Sequence, residues 1–317
     1  MKLILAPMQG MTTAHFRNVY SEFFGGIDHY YSPFISTTEK NSHSLSLFKD
    51  IFLDANDKEL SLIPQLLGNN GEDFRYYAKT ITELGYSEIN WNIGCPSPTV
   101  TKKKKGSGIL SHPDMIKAFL DEVCKDTSYQ LTIKMRLGLN DLEEGIKTID
   151  LINDYPLKGV ILHARTGSQR YTGTVDLDSF EVLRAQCKHD MTYNGDIYTV
   201  DDYINIQERF PMIDKFMLGR GALRDPFLAS AIKGTITNSN DKIVKMRAFH
   251  DSIYNDYKNK LSGDKHLIDR MKEFWLYNSV HLDPSGKFMK KIRNCTSASA
   301  YISIVNKMLD SSNIWVD

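Results

Sequence analysis

Residues 131–165, LTIKMRLGLNDLEEGIKTIDLINDYPLKGVILHAR, decide the fold. Leu131–Gly138 and Gly159–Arg165 are short β-rich apolar runs. Between them, Glu143–Asp154 repeats its apolar residues at a spacing near 3.6, the period of a helix. A strand, a helix and a second strand in that order form a βαβ unit, which pairs its strands in parallel. Each run also carries polar residues toward its C-terminal end, Lys134 with Arg136 in the first and His163 with Arg165 in the second.

The same pattern repeats outward in both directions. Further apolar runs are Leu3–Pro7, Asp28–Phe34, Leu60–Gly68, Glu88–Gly94, Met191–Ile197 and Lys215–Ala222. Helical spacing appears in Asp73–Leu84, Pro113–Cys124, Leu177–Cys187 and Val200–Phe210. Eight strands alternating with helices predict an α/β fold, a closed (β/α)8 TIM barrel. An open doubly wound sheet is the alternative, but the first βα loop lacks its Gly-x-Gly-x-x-Gly fingerprint. Polar residues gather at the strand ends: Pro7-Met8-Gln9, Gln65, Asn92 with Cys95, Lys134 with Arg136, His163 with Arg165, Asn194 with Asp196, and Arg220. In a barrel these ends converge on one mouth, where barrel active sites sit.

Strand signals stop after Thr235–Asp241, a polar linker. Ile243–Leu261, His266–Val280, Ser285–Arg293 and Ser297–Leu309 read as helices, with Pro284 early in the third. The expected division is therefore 1–237 as a catalytic barrel and 241–317 as a C-terminal α-helical bundle. The chain has 39 Lys or Arg and 39 Asp or Glu, so it is neutral as a whole. Residues 238–317 nevertheless hold 13 basic against 9 acidic residues, leaving 26 against 30 in the barrel. A mildly basic tail on an acidic barrel fits a polyanionic partner.

Composition excludes other classes. At 41% hydrophobic and 25% charged residues the chain is globular rather than disordered. Four scattered cysteines, Cys95, Cys124, Cys187 and Cys295, make neither a disulfide framework nor a metal cluster, so no metal is expected. No apolar run approaches the roughly 18–20 residues that span a bilayer. The run Leu3–Met8 is too short for a signal-peptide core. A soluble, cytoplasmic monomer is expected.

Four features point to chemistry. Asn90-Trp91-Asn92-Ile93-Gly94-Cys95-Pro96-Ser97-Pro98 follows the fourth strand and holds Cys95 in a stiff loop at the mouth. A thiol there donates a proton, or acts as a nucleophile if a base lies beside it. Lys134, inside an apolar strand, requires an anionic or electron-rich ligand, or else a structural ion pair. Tyr193-Asn194-Gly195-Asp196 and Leu218-Gly219-Arg220-Gly221-Ala222 end strands seven and eight, where barrels commonly bind phosphate through backbone N–H groups. A phosphate at that position, with Lys134 and Gln65, suggests flavin mononucleotide (FMN). Finally, Lys102, Lys103, Lys104 and Lys105 form a basic run in the Cys95 loop, and Lys287, Lys290, Lys291 and Arg293 line one tail helix. Both patches suit a polyanion, with simple solvation as the alternative reading.

The segment Asn92-Ile93-Gly94-Cys95-Pro96-Ser97-Pro98, continuing through Val100, Lys102, Gly106-Ser107 and Leu110, resembles the signature loop of the tRNA-dihydrouridine synthases. Ala6-Pro7-Met8, Gln65-Leu66-Leu67-Gly68, Lys134-Met135-Arg136, His163-Ala164-Arg165-Thr166, Asn194-Gly195-Asp196 and Gly219-Arg220-Gly221-Ala222 match in the same order. The tail, with Lys272-Glu273-Phe274-Trp275 and Arg293-Asn294, is most similar to the bacterial branch that includes synthase C.

The resemblance implies NADPH-dependent, FMN-mediated reduction of the C5=C6 bond of tRNA uridines. It makes Pro7, Met8, Gln65, Lys134, His163, Asn194, Gly195, Asp196, Gly219 and Arg220 the flavin contacts, with Gln9 beside them. Cys95 becomes the acid that protonates C5 after hydride reaches C6, and Asn92 and Arg165 fall on the substrate side. The synthase C likeness points to the D-loop, position 16. Two departures stand out: Ala164 where the family often has Gly, and Gly167 where it often has a basic residue. A flavin barrel acting on a small pyrimidine shares the Asn and Cys-Pro features but has little use for Lys102–Lys105 or the basic tail.

Overall fold

Parallel strands buried on both faces read as continuous apolar runs, and the computed structural model places a strand in every run named above. It describes residues 1–38, 44–126, 128–311 and 315. The strands are β1 (Lys2–Leu5), β2 (His29–Tyr31), β3 (Ile35–Ser36), β4 (Leu62–Ile63), β5 (Gln65–Leu67), β6 (Glu88–Ile93), β7 (Gln130–Arg136), β8 (Gly159–His163), β9 (Met191–Asn194) and β10 (Lys215–Leu218). They pair in the order β3-β5-β6-β7-β8-β9-β10-β1-β2-β4.

Ten strands make eight staves because two staves are broken in the middle. β2 pairs with β4, Tyr31 opposite Ile63, and β3 pairs with β5, Ile35 opposite Leu66. The two ends of the strand order therefore lie side by side and the barrel closes. Pro33 and Pro64 sit in the two gaps, where a residue without an N–H cannot continue a ladder. Between the paired segments the second stave uses one residue more than the third, and Ser32 Oγ accepts the Gln65 N–H at 3.1 Å. The run Leu60–Gly68 covers both β4 and β5, whereas the run Asp28–Phe34 covers β2 and stops short of β3.

Inside the barrel, Ile4, Ala6, Tyr31, Ile63, Ile161 and Met217 form a small core. A larger core lies between the strands and the surrounding helices. Those helices include Gly71–Glu83, Pro113–Val123, Leu142–Ile152, Leu177–Gln186 and Val200–Arg209, within two residues of expectation at each end. Their starts follow side-chain caps: Asn70, Asp141, Asp176 and Thr199 each accept a first-turn N–H. A further helix, Ala14–Phe23, was not among those expected; Phe16, Val19, Tyr20 and Phe23 keep the helical apolar spacing, and Arg17 is fully buried beside them.

The tail folds as helices Ser239–Lys260, Asp264–Asn278, Lys287–Arg293 and Ala298–Ser311. Two expected boundaries are corrected. The linker ends at Asn238, whose side chain caps a helix beginning at Ser239. Pro284 lies outside the third helix, which starts at Lys287 after Gly286 at φ +69°. There Asp283 Oδ2 accepts the Met289 N–H at 2.7 Å and sets the start. The tail docks on Ala14–Phe23, with the Phe249 ring 5.3 Å from Phe16 and 5.0 Å from Phe24, in the same core as the barrel. Among the described residues no helix is long and apolar enough to cross a membrane.

Candidate functional site

At the C-terminal ends of the strands a cavity is lined by Ala6, Pro7, Met8, Lys134, His163, Tyr171, Asn194, Gly195, Asp196, Gly219 and Arg220. The barrel thus gathers the expected cofactor residues into one site, apart from two. Gln9 is exposed and outside the lining, and Gln65 is fully buried beneath it.

Positive charge dominates this cavity. The Lys134 ammonium donates to Asn194 Oδ1 at 2.8 Å, and Asn194 is fixed by its own bond to the Met217 carbonyl at 2.8 Å. Burial, reinforced by the like charge of Arg136, pushes Lys134 down to about 7. His163 is held well below its ordinary value by burial and by the cations Arg136, Lys134, Arg165 and Arg220, so it is neutral. Asp196 is the one carboxylate in the lining. Burial works to raise its pKa, but Arg165, at 2.9 and 2.5 Å, and Arg220, at 2.8 Å, outweigh that and keep it ionised.

With Asp196 shared by two arginines, Lys134 has no carboxylate of its own. That surplus fits an anionic cofactor such as FMN. Lys134, His163, Asn194, Gly219 and Arg220, which line the cavity, are the residues that would hold such a group. Two glycines here also have a packing duty. A side chain on Gly195 would strike Tyr193 Oη at 2.2 Å, and one on Gly221 would strike the Ile197 carbonyl at 1.9 Å. These two permit internal packing. Only at Gly219 would a Cβ meet nothing nearer than Ala6, at 3.6 Å, leaving main chain open to the cavity. Among the described residues no group of three or more His, Cys, Asp and Glu could hold a metal ion.

The Cys95 loop hangs from β6 through one amide. Asn92 Oδ1 accepts the N–H groups of Gly94 at 3.0 Å and Cys95 at 2.9 Å. Its Nδ2 donates to Gln65 Oε1 at 2.8 Å, Gln65 Nε2 donates to Asn90 Oδ1 at 2.7 Å, and Asn90 Nδ2 donates to Thr132 Oγ1 at 3.0 Å. This buried file orients Asn92. At the far end of the loop the Cys95 carbonyl accepts from Ser107 N at 2.9 Å and Oγ at 3.2 Å. Gly106, at φ +56°, leaves no room for a side chain, since a Cβ would stand 2.5 Å from that carbonyl. Burial raises the Cys95 thiol above its ordinary value, while the Ser97 backbone and the charges of Arg136 and Lys134 pull the other way. The thiol is therefore protonated at neutral pH, and the charges that reach it are cations rather than a base.

Sequence reading missed Tyr171 and undervalued Arg136. Arg136 is buried and ties two loops together, with Nε donating to the Gly94 carbonyl at 2.9 Å and Nη1 to the carbonyls of Thr166 and Arg170, both at 2.7 Å. Arg165 holds the same second loop through the Gly173 carbonyl at 2.7 Å. Arg165 is 1% exposed, with its fork engaged by Asp196 and this loop. Gly167 belongs to that loop, and a Cβ on it would stand 2.5 Å from Ser107 Oγ. The departure from a basic residue there thus lets the two loops pack. Tyr171 is delivered to the cavity by backbone contacts that no spacing rule reveals.

Of the basic run, Lys102, Lys103 and Lys104 are exposed, while Lys105 is half-buried and donates to the Thr37 carbonyl at 2.9 Å. Lys287, Lys290, Lys291 and Arg293 are exposed, with Met289 and Ile292 buried between them. Helix Asp264–Asn278 brings the tail to the mouth loops, where Arg270 packs against Gly10.

The family model described as Dihydrouridine synthase (Dus) matches residues 4–310, through barrel and tail alike. The tRNA-dihydrouridine(16) synthase of Neisseria meningitidis serogroup A is 28% identical over 326 residues, covering 99% of this chain and 96% of that protein. Its serogroup B counterpart is 33% identical over 239 residues, covering 73% and 71%. Among solved structures, the old yellow enzyme homologue of Zymomonas mobilis superposes with a TM-score of 0.55 at 10% identity, covering 74% of this chain and 90% of that one. That last likeness speaks for the barrel alone. Because the family match runs through the Cys95 loop, the cationic cavity and the helical tail together, this chain belongs to the dihydrouridine synthase family.

Proposed function

We propose that this protein reduces the C5=C6 bond of uridine in tRNA to 5,6-dihydrouridine, with FMN at the barrel mouth and NADPH as reductant. One observation carries the reading: a buried lysine without a counter-anion, Lys134, lies within electrostatic reach of a neutral, loop-held thiol, Cys95. Bound flavin would supply the hydride for C6, the chemistry no side chain can provide. Cys95 gives its proton to C5, and its raised pKa keeps that proton available at neutral pH. Asn92 places the thiol by holding the N–H groups of Gly94 and Cys95. Gln65 acts from behind, through Asn92, and Gln9 stands at the rim. Lys134, Asn194, Gly219 and Arg220 hold the cofactor, and neutral His163 fills the wall beside them.

The base must leave its stack to reach the mouth, so the surrounding backbone needs cationic anchors. We assign this to exposed Lys102, Lys103 and Lys104 beside the Cys95 loop and to Lys287, Lys290, Lys291 and Arg293 on the tail, with Lys105 anchoring the loop base. On this reading 1–237 is the catalytic unit and 241–317 the tRNA-binding unit, acting as a monomer in the cytoplasm. The name of the serogroup A relative, matched over nearly its whole length, favours position 16 in the D-loop. Mapping dihydrouridine in total tRNA from cells with and without the gene tests this. Loss at position 16 supports it; an unchanged dihydrouridine map overturns it.

A further inference from the structure

The rim of the mouth carries a row of alternating arginines and tyrosines. The Arg136 guanidinium lies 5.3 Å from the Tyr171 ring centroid, and Arg220 lies 5.0 Å from the same ring. Arg220 also stands 5.7 Å from the Tyr198 ring, and Arg224 stands 4.7 Å from that ring. One end of the row is fixed to the Cys95 loop through the bond from Arg136 to the Gly94 carbonyl. The other end reaches helix Arg220–Arg224, which packs against tail helix Asp264–Asn278.

The rungs are not equivalent. Arg136 spends its donors on carbonyls, and Arg220 is paired with Asp196. Arg224 is half-exposed, and among the described residues no ion pair engages it. It stands one helical turn beyond Arg220, about 6 Å along the axis, and is held against Tyr198 rather than swinging freely. A guanidinium held near a ring keeps its outer face and edge for a ligand, and its flat fork matches a phosphate.

From this we infer that Arg224, positioned by Tyr198, binds a backbone phosphate of the RNA strand beside the uridine in the cavity. The inference rests on the proposed tRNA reaction and deepens it. The row leads from the proton donor to the junction of barrel and tail, so a strand lying along it passes from the reacting base toward the basic tail. Tyr171, 48% exposed, offers the surface between.

The test uses the FMN-loaded full-length protein and an unmodified tRNA transcript. Binding is measured between 50 and 300 mM salt, and KM and kcat for dihydrouridine formation are read separately. Arg224→Ala should weaken transcript binding about tenfold and flatten the slope of log K against log salt by about 0.7 to 1. It should raise KM for the transcript while kcat and FMN content hold. Arg224→Gln should lose the salt-slope increment without the packing change, which separates charge from folding. Tyr198→Leu, which frees the arginine, should raise KM several-fold with the salt slope kept. A transcript KM and salt slope matching wild type in both Arg224 variants would overturn the assignment. So would a raised KM for NADPH with the transcript constants unchanged. A wild-type protein that forms no dihydrouridine would instead bring down the proposed reaction, and this inference with it.

Discussion

Raising the pH should loosen FMN from this protein, and the size of the effect follows from Lys134. Without cofactor its ammonium titrates at about 7 against an ordinary 10.5, because burial strips its water and Arg136 repels it. An anionic ligand facing the amine favours the charged form and draws that value back up. The direction is then fixed: well below pH 7 the lysine is charged with and without ligand and adds no pH dependence. Above pH 7 binding must take up a proton, and Kd rises by up to tenfold per pH unit. If the ligand restores the ordinary value, the two states differ by about 3.5 pH units and Kd weakens about fiftyfold between pH 7 and pH 9.

Neighbouring groups do not blur this window. His163 is neutral throughout it, and the Cys95 thiol is raised above its ordinary 9.0. Arg136, lowered to about 10 chiefly by burial, is still charged at pH 9. A phosphomonoester, with its second pKa near 6, is about nine-tenths dianionic by pH 7 and changes little above it. The assay is a fluorescence titration of cofactor-stripped protein with FMN at half-unit steps from pH 6 to 9. Lys134→Met should bind more weakly at pH 7 and show no comparable slope. A wild-type Kd constant within threefold from pH 7 to 9, or an equal slope in the Met variant, would refute the reasoning.

Three other outcomes are expected. Cys95→Ala should keep FMN and tRNA binding while turnover falls by about 10² to 10⁴, the usual worth of a general acid, and near-wild-type turnover would remove Cys95 from that role. Gln65→Leu should strand the Asn92 and Asn90 amides and cost about 1–3 kcal/mol for each buried group left unpaired; an unchanged denaturation midpoint would show that the file is dispensable. Arg136→Lys keeps the charge but loses the fork shared among Gly94, Thr166 and Arg170. Its kcat should fall at least about tenfold with FMN retained, and unaltered kcat would mean the loops hold without it.

The staves were legible because strands buried on both faces leave apolar runs, and the mouth because each run carries its polar residue at the same end. What escaped depends on contacts between distant residues. Helix Ala14–Phe23 buries Arg17, a residue type usually left exposed, because the Thr12 carbonyl at 2.7 Å and Asn56 Oδ1 at 2.6 Å accept from it. Tyr171 sits in a polar loop, after Arg170 at φ +53°, and reaches the cavity only because Arg136 and Arg165 grip the loop carbonyls. The packing duty of Gly195 and Gly221 escaped too, because a sequence cannot show that Tyr193 Oη and the Ile197 carbonyl close on them.

The register of the central staves explains why these residues act as one site. Asn92 lies opposite Lys134, Arg136 opposite His163, and His163 opposite Asn194. Each pairing places the thiol loop, the cation or the neutral ring at the same height on adjoining strands. A side chain's facing alternates with every residue along a strand, so a one-residue slip of β7 would turn Lys134 out of the cavity and bring Met135 in. The same slip would detach Arg136 from Gly94 and release the Cys95 loop from the Tyr171 loop. Charge surplus, thiol position and rim therefore share a single structural cause, the parallel register of β6, β7, β8 and β9. It is specified by the buried apolar residues between the polar ones, Ile133, Met135, Leu162 and Tyr193, rather than by the reactive groups themselves.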